Sequence, residues 1–352
     1  MTRNIDISVI TLNFKEAELT KRMVIHILRS KKVSVEVLIV DNGNFKTDQE
    51  ILSTINTNRV RLLSPGRNLG CGKGYNLGIT QARGKYVFIV NNDTEIPDSN
   101  ALYEMKSFLD TQRRVAVLQP KIKSLSKPDF YEYAGAAGGY IDLLGYPFCR
   151  GRIFNTLEKD VGQYEKAVEI SWASTCAFFA RKDVLIASGL FDPIYFAYAE
   201  EVDLSMKIWN MGYSVMFFPN AEVYHRGESS WKKVRGHKTF LIHRNHLVLF
   251  YKCFPLYVIL LFTPLRFMFE YCSMIFYLFH NSNLHIIPVL LSHLSCFVRF
   301  PLIIKKRSEF FRLKSSPRMP MYKRSIVLDY FLFHKKYFRD LYLTPNFARG
   351  ES

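Results

Sequence analysis

The chain has 352 residues, of which 48% are hydrophobic, which suits a folded protein with a large core and probable division into two units. Its six cysteines are scattered without a CxxC pair, which argues for reduced thiols and excludes a disulfide framework or a cysteine zinc site. The first residues are polar and do not resemble a signal peptide.

The net charge of +17 is concentrated in the last third of the chain. Residues 1–228 hold 28 Lys and Arg against 26 Asp and Glu, a net of +2, whereas residues 229–352 hold 20 against 5, a net of +15. A basic region of this kind is expected to meet nucleic acid or an anionic membrane. Charge alone leaves both alternatives open.

Strands and helices alternate along most of the chain. Apolar and β-branched runs mark the strands, and apolar residues at helical spacing mark the helices. This alternation predicts an α/β fold with a mostly parallel, Rossmann-like sheet covered by helices on both faces. The predicted elements are, in order, a strand at 5–12, a helix at 16–30, strands at 33–40 and 60–63, a helix at 75–83, strands at 86–90 and 114–122, an irregular stretch at 128–165, a strand running into a helix at 170–189, a helix at 200–211 and a strand at 213–219.

Polar side chains stand where several predicted strands end. Asn and Asp are common in turns, so any one of these positions could be a simple turn. The carboxyl ends of parallel strands lie at one edge of a sheet, however, and ligands bind there. Several such ends together predict a nucleotide site. The residues are Thr11 and Asn13, Asp41 and Asn42, Asn91, Asn92 and Asp93, and His225 beyond the strand at 213–219.

A glycine-rich stretch, "GRNLGCGKGYNLG" at 66–78, resembles a phosphate-binding loop. It is neither GxGxxG in register nor a Walker A sequence, and glycine-rich loops are often only tight turns. Asn68 and Asn76 nevertheless supply hydrogen-bond donors suited to a nucleotide or its phosphates.

An acidic cluster follows the apolar segment at 194–199. Glu200, Glu201 and Asp203 fall within four residues at the start of a predicted helix, where carboxylates complement the helix dipole. Adjacent carboxylates in a partly dry pocket can also have raised pKa values, which suits a general base.

Four segments occur in an order typical of one enzyme family. They are "ISVITLNF", "VLIVDNG", "NLGCGKGYNLGITQARGKYVFIVNNDTEI" and "GLFDPIYFAYAEEVDLSMKIWNMGYSVMFFPNAEVYHRGESS". Over residues 5–250 the chain resembles inverting family-2 glycosyltransferases with the GT-A fold, and within them the rhamnosyltransferase-like enzymes of bacterial surface-polysaccharide assembly.

The resemblance implies a role for each candidate position. Asp93 and His225 would bind Mn²⁺ or Mg²⁺, Glu201 would be the catalytic base, and Glu200 and Asp203 would support it. Asn91 stands where the family's DxD metal motif has its first acid, and Glu201 where Asp is commoner, so the identity of the substrates does not follow from the resemblance. The nucleotide-sugar pocket would be lined by Thr11, Asn13, Asp41, Asn42, Asn68, Asn76, Asn91 and Asn92.

The C-terminal region holds two apolar stretches, 254–279 and 284–304. About 20 apolar residues can span a bilayer, but Arg266 and Glu270 interrupt the first stretch and are spaced to pair with each other. We expect amphipathic helices that lie in or dip into the inner leaflet, with basic residues on the lipid headgroups. A buried helical hairpin in a soluble protein is the alternative.

These observations predict a glycosyltransferase domain at 1–250, with a nucleotide half at 1–125 and an acceptor half at 126–250, and a helical membrane-associating region at 251–352. The expected reaction moves a sugar from a UDP- or dTDP-sugar to a hydroxyl of a lipid-linked saccharide at the cytoplasmic face of the membrane. One alternative is a basic nucleic-acid-binding protein with a Rossmann-like domain, although no reading motif is recognisable. Another is a sugar nucleotidyltransferase, although the lysine-rich glycine signature expected near the first strand is missing.

Overall fold

The computed structural model describes residues 5–227, 235–279, 283–313 and 319–341. Its strands are β1 (Ile7–Asn13), β2 (Val35–Asp41), β3 (Val60–Leu63), β4 (Tyr86–Val90), β5 (Thr94–Glu95), β6 (Val115–Ser124), β7 (Gly139–Ile141), β8 (Pro147–Cys149), β9 (Arg152–Ile153), β10 (Thr156–Leu157), β11 (Val168–Glu169), β12 (Ala177–Arg181) and β13 (Ser214–His225). Its α-helices are α1 (Ala17–Leu28), α2 (Lys46–Ser53), α3 (Gly70–Gln81), α4 (Ala101–Thr111), α5 (Lys182–Ala187), α6 (Glu200–Asn210), α7 (Arg235–Cys253), α8 (Leu256–Phe279), α9 (Ile286–Val298), α10 (Phe300–Arg312) and α11 (Ile326–Phe331).

The main sheet has the strand order β11-β13-β6-β12-β4-β1-β2-β3. Strands β1 to β4 are mutually parallel, β6 is parallel to β13, and β12 runs antiparallel between β4 and β6. Every residue of β4 is buried because helices cover both faces of the sheet, as a continuous apolar run requires. The predicted mostly parallel α/β fold is therefore confirmed.

The stretch at 128–165, predicted to be irregular, contains a small second sheet of four strands in the order β10-β9-β8-β7. The prediction was wrong here because strands of two or three residues are too short to show a period. Helices α2 and α4 were not predicted either.

The glycine-rich stretch is mostly helix, since α3 begins at Gly70 and not at residue 75. Gly70 has a φ of +75°, and a Cβ there would lie 2.3 Å from the carbonyl oxygen of Phe196. A Cβ on Gly78 would lie 2.4 Å from Ile10 of β1. These two glycines let α3 pack closely against its neighbours, which explains their presence without a phosphate loop.

The C-terminal helices continue the core of the sheet domain. Helix α7 packs against α6, α9 and α10, and Phe250, Phe254 and Phe310 belong to the same buried cluster as Val117 of β6. The predicted boundary at 250 falls inside α7, three residues before its end. The point at 228–229 where the charge balance changes lies outside the described residues.

Helices α8 and α9 leave large apolar side chains in contact with solvent. We call this set the apolar surface: Leu256, Tyr257, Leu260 and Leu261 of α8 with Leu290, Leu291, Leu294 and Phe297 of α9. Within the described residues, α8 alone is long and apolar enough to cross a membrane, and α9 with α10, bent by 67°, would pass the same test as one broken span.

Candidate active site

The ends of β1 and β2 are joined by a buried polar network. The Asn13 side-chain amide donates to Asp48 at 2.8 Å and to Asp41 at 3.4 Å, while the Thr20 hydroxyl donates to Asn13 Oδ1 at 2.8 Å. Nearby on β1, the buried Thr11 hydroxyl has no hydrogen-bond partner among the described residues. The network thus holds both strand ends rigidly at one edge of the sheet.

Asn42 connects β2 to the start of α3. Its side chain donates to the Gly70 carbonyl oxygen at 2.9 Å and accepts from the Leu69 N–H at 3.1 Å. The Asn68 side chain accepts from the Gly70 N–H at 2.8 Å. The beginning of α3 is therefore fixed beside the strand ends that the sequence placed in the nucleotide pocket.

Asn76 lies further along α3 and clamps a distant loop. Its amide group donates to the Phe191 carbonyl oxygen at 2.9 Å and accepts from the Phe191 N–H at 3.0 Å. These bonds use both ends of the side chain. They join the nucleotide half to the loop before α6, and a role of Asn76 in nucleotide binding stays a prediction.

The cluster after β4 meets the end of β13. His225 Nε2 lies 3.1 Å from Asp93 Oδ1 and 3.3 Å from Asn91 Nδ2. Asn92 turns the other way and donates to Thr20 of α1 at 3.1 Å. The pairing of β5 with β13 places Thr94 opposite His225 and so brings these residues together.

The Asp93–His225 pair fits a shared divalent ion. Neighbouring ligands of an octahedral Mg²⁺ or Mn²⁺ at about 2.1 Å lie about 3.0 Å apart, close to the 3.1 Å between these two atoms. His225 Nδ1 lies 3.6 Å from Glu132 Oε1, and a carboxylate on the second ring nitrogen is the usual support for a metal-binding histidine. No group of three or more metal-binding side chains occurs in the part of the chain that the structure describes, so phosphate or water would complete the coordination.

Glu132 also influences the protonation of His225. Burial lowers the pKa of His225, but the contact with Asp93 and the negative charges of Asp93 and Glu132 outweigh it and raise the pKa to about 9. Sequence reasoning missed Glu132, which lies in the stretch predicted to be irregular and carries no motif.

Glu200 and Glu201 differ in their surroundings at the start of α6. Glu200 is 2% exposed and packs against Cys71 of α3, whose thiol hydrogen-bonds it, whereas Glu201 is partly exposed. Burial, and then the charge of Glu201, raises the pKa of Glu200 well above its usual value. Burial also raises the pKa of Glu201, to about 7. One Oε2 atom of each carboxyl has no hydrogen-bond partner among the described residues.

The loop before Glu200 has an unusual backbone. Tyr198 and Ala199 both have positive φ, 70° and 67°. Asn245 of α7 donates to the carbonyl oxygens of Ala197 at 2.7 Å and Tyr198 at 2.8 Å, which offsets the cost of this conformation. A helix outside the sheet therefore sets the direction of the two carboxylates.

Asp203 faces the protein interior and not the Glu200–Glu201 pair. It is fully buried, and its Oδ1 lies 2.7 Å from Lys252 Nζ of α7. Lys252 also lies 2.6 Å from Asp192, so one ammonium group bridges two carboxylates, while Lys306 Nζ lies 3.8 Å from Asp192 and Lys207 Nζ 4.0 Å from Asp203. Asp203 thus joins α6 to α7, so any support it gives to Glu201 would come through the position of α6.

The model of the family described as "Glycosyl transferase family 2" matches residues 8–185, half of the chain. The chain belongs to this family. The match contains β1 to β12, and with them the strand ends and the Asn91–Asp93 cluster described above.

Two bacterial proteins are similar to more than half of this chain. Glycosyltransferase GlyG of Streptococcus pneumoniae serotype 4 is 24% identical over 204 residues, which cover 56% of this chain and 62% of that protein. N-acetylglucosaminyl-diphospho-decaprenol L-rhamnosyltransferase of Mycobacterium tuberculosis is 28% identical over 225 residues, which cover 58% of this chain and 70% of that one. The matched part of the chain thus spans less than two thirds of the length of GlyG.

Two solved structures share the fold. GalNAc-T7 with UDP, GalNAc and Mn²⁺ superposes with a TM-score of 0.54 at 16% identity, covering 71% of this chain and 48% of that one. Mannosyltransferase PcManGT of Pyrobaculum calidifontis, in complex with GDP-Man and Mn²⁺, gives 0.50 at 14% identity, covering 89% and 86%. The expected family and the GT-A fold are confirmed, while the roles of the individual site residues stay predictions.

Proposed function

We propose that this family-2 member is an inverting glycosyltransferase that moves a sugar from a UDP- or dTDP-sugar to a hydroxyl of a saccharide acceptor. One observation carries the proposal, namely the contrast between Glu200 and Glu201. Glu200 is 2% exposed, whereas its neighbour Glu201 is partly exposed, and burial raises the pKa of Glu201 to about 7. A partly exposed residue whose carboxyl has a pKa near 7 suits a general base.

The reaction needs one base and one displacement. Glu201 accepts the proton of the acceptor hydroxyl while the oxygen attacks the anomeric carbon, and the nucleoside diphosphate leaves from the opposite side. A single displacement inverts the configuration at that carbon. Glu200 packs against α3 and would hold the start of α6, and with it Glu201, in position.

Asp93 and His225 would hold the divalent ion. When bound, Mn²⁺ or Mg²⁺ neutralises the charge that develops on the leaving diphosphate. Asn42 and Asn68, which fix the start of α3, would present that helix to the nucleotide. The Asp41 carboxylate, which accepts from the Asn44 N–H at 3.1 Å and from Gln49 at 3.0 Å, would lie beside the nucleoside.

The acceptor in this proposal is lipid-linked and is used at the cytoplasmic face of the membrane in surface-polysaccharide assembly. The apolar surface of α8 and α9, in a region with a net charge of +15, suits insertion into an anionic leaflet. The name of the mycobacterial relative gives a lipid-linked saccharide as the acceptor of that enzyme. Exposed leucines at this density favour a membrane over nucleic acid as the partner.

A ligand screen tests the proposal directly. Thermal unfolding of the full chain is followed with UDP-, dTDP- and GDP-sugars, with and without Mn²⁺. We expect one nucleotide to raise the Tm in a manner that depends on Mn²⁺, and Asp93→Ala to remove that dependence. The anomeric configuration of the product, read by NMR, should be opposite to that of the donor.

Two results would contradict the proposal. Retention of the donor configuration would rule out a single displacement. A full chain that no sugar nucleotide stabilises, but that binds nucleic acid in a salt-sensitive way, would favour the basic nucleic-acid-binding alternative.

A further inference from the structure

Two cations and two aromatic rings meet beside the Glu200–Glu201 pair. The Arg152 guanidinium lies 3.5 Å from the ring centre of Tyr133, and Lys238 Nζ lies 3.5 Å from the Tyr133 hydroxyl. Lys238 Nζ is also 5.8 Å from the ring centre of Tyr198. We call Tyr133, Arg152 and Lys238 the Tyr133 cluster. Its aromatic ring is 47% exposed, so the cluster is open to a ligand.

Among the described residues, neither cation of the Tyr133 cluster forms a direct ion pair, although the charge of Glu132 acts on Arg152. Arg152 donates to the carbonyl oxygens of Phe154 at 2.8 Å and Tyr133 at 2.7 Å, which orient it without neutralising it. In the described part of the chain, no acidic side chain lies within ion-pair distance of Arg152 or Lys238. Burial is the main reason that the pKa of Arg152 is lowered. Burying part of a cation without a neutralising carboxylate is costly, and a bound anion would offset that cost.

The Tyr133 cluster adjoins the proposed base. Tyr198 lies two residues before Glu200, and Lys238 Nζ lies 5.8 Å from the Tyr198 ring centre, so the cluster reaches the loop that leads to the two carboxylates. A molecule held by the cluster can therefore present a hydroxyl to Glu201.

We propose that Arg152 and Lys238 bind a phosphate group of the acceptor, while an acceptor sugar stacks on Tyr133. This inference rests on the proposed function and adds the residues that would recognise the acceptor if its saccharide is joined to the lipid through phosphate. Arg152 offers a planar fork of donors for phosphate oxygens, and Lys238 adds a point charge.

The position of Lys238 favours the acceptor over the donor as the source of that phosphate. The donor diphosphate is expected at Asp93 and His225, at the ends of β4 and β13. Lys238 belongs to α7, which packs along α9, and α9 carries half of the apolar surface. A phosphate whose lipid chain lies along that surface would meet Lys238 on its way to Glu201.

A binding experiment that does not require turnover tests the subsite. Binding of hexyl diphosphate to the full chain is measured by calorimetry, with uncharged hexyl glucoside and the Mn²⁺–UDP complex as comparisons. Lys238→Gln and Arg152→Gln should each weaken hexyl diphosphate binding about tenfold or more and leave the other two ligands unchanged. Arg152→Lys should restore part of the loss.

Lys31→Gln is the matched control, because it removes one exposed positive charge before β2, at the opposite edge of the sheet. Lys238→Gln should fold normally, because the only hydrogen bond of the Lys238 side chain among the described residues is to the Tyr133 hydroxyl. If the wild type and both variants bind hexyl diphosphate with equal affinity, the proposed subsite is wrong. Weakening of Mn²⁺–UDP binding alone would assign the two cations to the donor and would also overturn it.

The experiment separates this inference from the proposed function. If the wild type binds a sugar nucleotide normally while its affinity for hexyl diphosphate is unaffected by Lys238→Gln, the transferase proposal stands and the subsite fails. If no sugar nucleotide binds but hexyl diphosphate binding depends on both cations, the subsite stands and the transferase proposal fails.

Discussion

Strand β4 and helix α8 are both runs of apolar residues, but the fold uses them in opposite ways. All five residues of β4 are buried between helices, and its end carries the polar cluster of the site. Helix α8 is 24 residues long, and Tyr257, Leu260 and Leu261 are 73%, 70% and 67% exposed. The comparison teaches that apolar composition marks two different things here, a core that stabilises the protein and a surface that needs another partner.

The charged residues of α8 follow the same distinction. Arg266 and Glu270 are 1% and 2% exposed and point into the protein. Arg266 donates to the Leu144 carbonyl oxygen and lies 3.9 Å from Glu270, which also bonds His243 of α7. The two charges that interrupt the apolar stretch therefore leave its exposed residues apolar, as a helix lying on a membrane requires.

The largest expected effect is on the rate of sugar transfer. Glu201→Gln keeps the shape of the side chain and removes the base, so the rate of transfer should fall roughly 10²–10⁴-fold while the donor still binds. Glu200→Gln is the matched control and should reduce the rate less. Near-normal turnover of Glu201→Gln would place the base elsewhere, with Glu200 the first residue to test.

The next effect concerns the contact between the two regions. Lys252→Met leaves Asp192 and Asp203 buried without their shared cation, which should lower the free energy of unfolding by about 3–5 kcal/mol. Lys106→Met breaks an exposed i,i+4 pair with Asp110 and should cost less than about 1 kcal/mol. Equal losses in chemical denaturation would show that α7 does not depend on this ion pair.

A matched pair of phenylalanines compares the core with the apolar surface. Phe88→Ala in β4 removes a fully buried ring and should cost about 3–5 kcal/mol of stability. Phe297 of α9 is 79% exposed, and Phe297→Ala should change stability by no more than about 0.5 kcal/mol. The free energy of unfolding of both variants is measured by chemical denaturation in the same detergent. A large loss of stability in Phe297→Ala would mean that the protein itself buries this side of α9.

Charged residues introduced on the apolar surface should weaken membrane binding without changing the stability of the fold. Leu261→Asp combined with Leu290→Asp should reduce co-sedimentation with anionic vesicles about tenfold or more, with little change in Tm, because each leucine loses favourable burial in lipid. Salt alone should not release the wild type if the helices insert. Unchanged sedimentation of the double variant would leave only the basic residues as the source of attachment.

The smallest expected effect is on the pH profile. Because the raised pKa of Glu201 is about 7, the carboxyl is protonated and inactive below that pH and ionised above it. The rate of transfer should rise by up to about tenfold per pH unit below 7 and level off at higher pH. A rate that stays constant from pH 5.5 to 8 would mean that the pKa of Glu201 lies outside this range or that Glu201 is not the base.

The sequence predicted the sheet well because its strands are long and apolar, and β1, β2 and β4 lie within about two residues of the predicted runs. The sequence predicted helix boundaries less well where contacts between distant residues determine them. Gly70 and Gly78 have low helix propensity, yet they lie in α3 because Phe196 and Ile10 approach too closely for a side chain. Such contacts join residues far apart in the chain and leave no local pattern.

The candidate site shows the same division. The strand ends and the acidic cluster were predicted from position and residue type. Glu132, Arg152 and Lys238 were not, since each takes its importance from a residue distant in sequence: Glu132 from His225, and the two cations from Tyr133. Only the three-dimensional arrangement brings these pairs together.

Asn245 has a practical consequence for anyone who wishes to produce this protein in a soluble form. The obvious route is to delete everything after the sheet domain, because the apolar helices follow it. Such a shortened protein would lack the amide that holds the Ala197 and Tyr198 carbonyls, and with it the support for the loop before Glu200. Replacing the exposed leucines of α8 and α9 with polar residues keeps α7 in place. This route should yield soluble protein with an intact site.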